Sequence, residues 1–222
     1  MDNLIKFLIS FSAFIVFSHL NSKIWRKIFQ GRGFSIILFP GVVLHELSHF
    51  FACIITFAKV KEVKLFSMKG GYVRHKKPKL PIIGMLIISF APLIGGVLFL
   101  HLIYNLVGLR LPELAFNLSF LESLQDIFLK NWQNYIFWIT IYLSVSVIIT
   151  MIPSKKDFQN SFFGLFVLFL IIALSLEVGL ITDIGVISNL TSVVGFVLVI
   201  SILVSIPSFS LFLMKSLIKN IF

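Results

Sequence analysis

The chain has 222 residues, 58% of them hydrophobic and 13% charged, with a mean hydropathy of +1.03. Soluble domains carry about 25% charged residues, so a soluble globular fold is excluded and nothing is left over for an appended recognition module. The net charge of +10 does not point to nucleic acid, because the basic residues fall between apolar stretches, as in loops that face anionic lipid.

The apolar runs predict six membrane spans, at about 3–20, 34–57, 81–108, 132–152, 162–182 and 191–214, each near the ~20 residues that cross a bilayer. The first run is long and no small-x-small cleavage site follows it, so it reads as a retained helix rather than a signal peptide. After the second span, residues 59–75 look extended. Val63 and Leu65 alternate with charged residues, Gly70–Gly71 supplies a turn, and Tyr72–Val73 resumes β-forming residues. Residues 110–131 mix apolar and acidic side chains, and read either as an interfacial helix or as a connection packed on the bundle. The expected fold is a single all-α polytopic membrane domain over 1–222, with about six transmembrane helices and a small β-hairpin-like segment after the second. The lone cysteine, Cys53, excludes an intramolecular disulfide.

Charge sets the expected orientation. With the N-terminus inside, thirteen Lys and Arg fall on the inner side, eight of them in 58–80, against six on the outer side. The excess predicts a multi-pass protein of the cell membrane with both termini cytoplasmic.

The second span contains "FPGVVLHELSHFFACIITF", residues 39–57. Ionisable groups are costly in hydrocarbon and mark functional sites there. His45 and His49, four residues apart on a helix, share one face and can point ring nitrogens at a single ion. Glu46 is offset by one residue, which puts its carboxylate beside the ion as a general base rather than in its coordination shell. A zinc ion in such a set makes water nucleophilic near neutral pH, and the glutamate takes the proton.

A hydrolytic zinc site uses three protein ligands and one open position. His19 and His101 fall near the far ends of their spans, and His75 lies in the basic loop. Glu177 is late in an outward-running span and Asp183 is outside. Asp157 remains, on the inner side after the fourth span in "TMIPSKKDFQNS", where Pro153 breaks the helix and lets the chain turn back. The predicted metal ligands are therefore His45, His49 and Asp157, with Glu46 catalytic.

In this order of features the chain resembles the site-2 protease family of intramembrane zinc metalloproteases. The resemblance spans about 34–161 and rests on "HELSH", on the Gly-Gly-containing segment 62–73 followed by "SFAPLIGG", and on Asp157. Thr150 stands where that family has Asn, Gly95 stands where it has Asn after Ala91-Pro92, and Phe158 rather than Gly follows Asp157. The resemblance implies six helices, a zinc cofactor, and hydrolysis of peptide bonds in or near transmembrane segments of substrates taken from the lipid bilayer. It implies that Asp157 is the third ligand. Two other readings are a membrane zincin of CAAX-protease type, whose third ligand would be Glu177, and an inactive homologue that binds or regulates.

Overall fold

The computed structural model describes residues 2–29, 32–68, 70–112, 118–154, 156–157, 159 and 184–221. The predicted fifth span at 162–182, with Glu177 and Asp183, lies outside them. In chain order the elements are α1 (Asp2–Ile28), α2 (Arg32–Ile37), α3 (Phe39–Ile55), β1 (Val60–Lys64), β2 (Tyr72–His75), α4 (Pro81–Val107), α5 (Leu118–Asn131), α6 (Tyr135–Thr150) and α7 (Ile184–Ile221).

Three of these helices, α1, α4 and α7, are long and apolar enough to cross a membrane. The apolar helices α3 and α6 are shorter. At 1.5 Å per residue, their 17 and 16 residues span about 25 Å, a little under a hydrocarbon core of ~30 Å. The predicted second span divides at Leu38 into α2 and α3, with Pro40 in the first turn of α3, where a proline's missing N–H costs the helix nothing.

Small residues and hydroxyls fix how α3 packs. The Gly41 N–H donates to Ser146 Oγ at 2.8 Å, and a β-carbon on Gly41 would overlap the Ser146 carbonyl and Thr150 Oγ1. The Tyr142 hydroxyl donates to the Ile37 carbonyl at 2.8 Å. These pairs ascend together, so α3 and α6 run parallel. Against α4 the order reverses: Thr56 lies by Gly84, and Ser48 packs where a Gly95 side chain would be. Close contacts of glycine, serine and threonine are the usual substitute for hydrophobic pressure between helices in lipid.

α1 and α7 hold each other through a polar ladder. The Ser18 and Ser201 hydroxyls meet at 3.1 Å. Asn21 Nδ2 donates to the Ser201 carbonyl at 3.0 Å, and Trp25 Nε1 donates to Ser208 Oγ at 2.7 Å. Lys215 then donates to the carbonyls of Lys27 and Ile28 at the end of α1, a favourable place for a cation. The partners rise together, so α1 and α7 are parallel. Six alternating spans would make the first and last antiparallel and leave both termini on one face. Among the described helices, α7 instead runs parallel to α1.

The extended segment forms the antiparallel pair β1–β2, with Val63 opposite Val73 and Lys64 opposite Tyr72. It does not project away from the bundle as a cytoplasmic loop. Val60 and Val73 pack on Ala52, Cys53, Ile88 and Ala91, and the Phe66 ring meets Phe39, the first residue of α3, at 5.0 Å. The hairpin thus folds back along the whole of α3. Residues 118–131 are helical, and α5 packs on the bundle, with Phe128 meeting Phe137 of α6 at 6.3 Å.

Candidate metal centre

α3 presents His45, Glu46 and His49 on the side that faces α6, α4 and the hairpin tip. Two backbone carbonyls orient the histidines. His45 Nδ1 lies 2.7 Å from the carbonyl of Thr150, at the end of α6, and His49 Nδ1 lies 2.8 Å from the carbonyl of Ile88, in α4. A carbonyl only accepts, so in both rings Nδ1 carries the hydrogen and Nε2 is left with its lone pair. The two rings sit edge to face, with centroids 4.9 Å apart.

Asp157 arrives from beyond the end of α6. Its Oδ2 lies 3.8 Å from His49 Nε2, and one ligating atom from each of His45, His49 and Asp157 falls within 4.8 Å of the others. Ser154 holds that carboxylate: its N–H and its hydroxyl donate to Asp157 Oδ2 at 2.8 and 2.5 Å, and its Oγ lies 3.2 Å from the Asp157 N–H. This is the reciprocal pattern of a capping box, with Asp at the fourth position. Two Nε2 lone pairs and a carboxylate, each oriented by a second hydrogen bond, are a donor set suited to zinc.

Glu46 is buried at 8% exposure and lies against the hairpin. A β-carbon on Gly71 would overlap Glu46 Cγ, and would also come within 2.7 Å of the Leu65 carbonyl. Its neighbour Gly70 holds a φ of +103°, a backbone state open to glycine and costly for other residues. The Gly-Gly pair therefore has two separate causes: the first residue turns the chain and the second lets it touch the glutamate.

His45 and Glu46 open into a cavity of about 450 Å³ whose wall includes Gly70, Gly71, Thr150 and Ser154. Its far wall is α1. His19, Ser22 and Arg26 line it, because α1 continues to Ile28 rather than ending near residue 20. His19 is thus at the cavity, not at a distant interface as its position in the predicted span implies. His101 packs edge-on to Phe196, and His75 ends β2 with its Nδ1–H on the Lys76 carbonyl at 2.9 Å. The signal for the α1 wall was present as a spacing of three and four residues between His19, Ser22 and Arg26.

Family models, curated proteins and solved structures offer no match to this chain.

Proposed function

We propose that this protein is a multi-pass intramembrane zinc metalloprotease of the site-2 protease kind, cleaving peptide bonds in or near transmembrane segments of other membrane proteins. One observation carries the reading: His45, His49 and Asp157, brought from two distant parts of the chain, offer ligating atoms within 4.8 Å of one another beside an acidic residue that is not part of the set.

Zinc held by these three groups would supply the Lewis acidity that polarises a peptide carbonyl and makes water nucleophilic near neutral pH. Thr150 and Ile88 hold the imidazoles in the ligating tautomer, and Ser154 aims the carboxylate. Glu46 takes a proton from the attacking water and returns it to the amine as the C–N bond breaks. A helical substrate hides its carbonyls in its own hydrogen bonds, so it must unwind first. The hairpin beside Glu46 is a two-stranded sheet, and the unwound stretch would add to it as a third strand. The eight Lys and Arg of residues 58–80 favour a cytoplasmic hairpin face in the cell membrane.

The test is zinc per mole of detergent-purified protein, in wild type, Asp157→Ala and Glu177→Gln. About one zinc in wild type, clearly less in Asp157→Ala and no change in Glu177→Gln supports the reading. Full zinc in Asp157→Ala moves the third ligand elsewhere, with loss in Glu177→Gln favouring the CAAX type. No zinc in wild type, even after it is added back, leaves a non-catalytic membrane protein.

A further inference from the structure

α1 carries polar residues on two faces, and among the described residues α7 bonds only one of them. Ser18, Asn21 and Trp25 hold α7. His19, Ser22 and Arg26 form a second stripe, one or two turns long, and all three line the cavity that contains His45 and Glu46. Ser35 of α2 adds a hydroxyl to the same wall. A helix that borders lipid keeps polar groups where they meet a partner or water, and α7 does not account for this stripe.

Arg26 is the strongest charge on that wall. Its guanidinium carbon lies 4.7 Å from the centroid of the Phe34 ring, which seats the planar group and leaves its N–H fork for a partner in the cavity. Among the described residues it makes no ion pair. An oriented guanidinium that lines a cavity without a counter-charge among the described residues is suited to a planar anion, and a carboxylate matches its fork with two parallel hydrogen bonds. The Ser22 hydroxyl adds a neutral donor on the same stripe.

We propose that the His19–Ser22–Arg26 face is a subsite for a carboxylate of the substrate, displaced along the substrate chain from the bond that is cut. The inference rests on the protease reading above and deepens it. Substrates carry either an acidic side chain inside or at the edge of the apolar segment, or a chain terminus that reaches Arg26. Arg26 is here a specificity residue, with no part in the chemistry at Glu46.

The experiment measures binding, so that it does not depend on turnover. Fluorescein-labelled apolar peptides of about twenty residues carry a single Glu walked through successive positions, or Gln in its place, each with a free or an amidated C-terminus. Fluorescence anisotropy gives their affinities for the full chain in detergent, as wild type, Arg26→Gln and Arg26→Lys, with zinc measured in every preparation. At one or a few positions Glu binds wild type about tenfold tighter than Gln, as expected of a charge-assisted hydrogen bond. That preference disappears in Arg26→Gln and survives in part in Arg26→Lys. A preference that follows the free C-terminus instead assigns the subsite to the chain end. No preference in wild type, or the same preference in Arg26→Gln, overturns the proposal. An Arg26-dependent preference in protein that takes up no zinc keeps the subsite and removes the hydrolase reading.

Discussion

Gly71 lies so close to Glu46 that the absent β-carbon is the condition for their contact. The hairpin tip and the acid that would move the proton are therefore one packing unit, although the first belongs to a two-stranded sheet and the second to a helix.

Gly71→Ala follows directly. The added methyl must displace either the hairpin or the Glu46 side chain, and a displacement near 1 Å at a reacting group costs about 10²-fold in rate. The three candidate ligands, His45, His49 and Asp157, are untouched. The expected result is full zinc content with hydrolysis of a model transmembrane substrate reduced about a hundredfold. Equal loss of zinc and activity would mean that the contact supports the fold rather than the acid.

Ser154 is a positioning residue for Asp157. Removing a group that orients a metal ligand costs about 10–100-fold in metal affinity. Ser154→Ala should weaken zinc binding in that range in a chelator competition, and Ser154→Thr, which keeps the hydroxyl, should restore most of it. The d–d spectrum of the cobalt-substituted protein should change in Ser154→Ala and stay near wild type in Ser154→Thr. Unchanged affinity in Ser154→Ala would reduce the Ser154–Asp157 pair to a helix cap.

The α1–α7 ladder is not uniform in strength. Ser18→Ala leaves the buried Ser201 hydroxyl free to turn to a carbonyl of the preceding helical turn, and hydrogen bonds between helices in membranes average about 0.6 kcal/mol. Ser208→Ala strands the buried indole N–H of Trp25, which costs about 1–3 kcal/mol. Thermal unfolding in detergent should therefore show a larger loss for Ser208→Ala than for Ser18→Ala. The reverse order would show that Trp25 finds another acceptor.

On the hairpin, the Tyr72 hydroxyl donates to Glu62 Oε1, and Arg74 donates to Glu62 Oε2 at 3.2 Å. The bond to the carboxylate holds the phenol proton and raises the Tyr72 pKa above its ordinary value of 10.0. Because the folded-state value is raised, the neutral phenol's contribution is present below about pH 10 and fades as pH rises through the higher value. The tyrosinate absorbance of Glu62→Gln, compared with wild type, should show one tyrosine titrating at lower pH. Superimposable titrations would mean that this bond does not form in solution.

The parts of the site that were legible in the sequence are the ones set by local geometry. The spacing of His45 and His49 fixes a shared helix face, and Gly70–Gly71 between β-forming residues marks a hairpin. Proximity of Asp157 followed from Pro153 breaking the helix on the same side. The rest depends on neighbours. A hydropathy reading ends the first span near Leu20 because Asn21, Ser22 and Lys23 are costly in lipid. The helix continues to Ile28 because Asn21 has α7 to bond and Ser22 and Arg26 have a cavity to line. The parallel course of α7 was illegible for a similar reason: hydropathy marks an apolar stretch and is blind to its direction. The fold-back of the hairpin depends on Phe66 finding Phe39 and Gly71 finding Glu46, contacts that no local pattern encodes.

The parallel pairing of the first and last helices also has a meaning in time. Trp25 and Ser208 are separated by 183 residues, and chains are made at about 5–20 residues per second, so roughly 10–40 s pass between synthesis of the indole and of its acceptor. Through that interval the nascent chain holds Ser18, Asn21 and Trp25 in the bilayer with no α7 to meet them, while the rest of the bundle can already assemble. Synthesis of α7 is the event that hides them. A protein stopped short of residue 201 therefore presents the cell with a polar seam in lipid, a ready mark by which quality control can tell an unfinished molecule from a finished one.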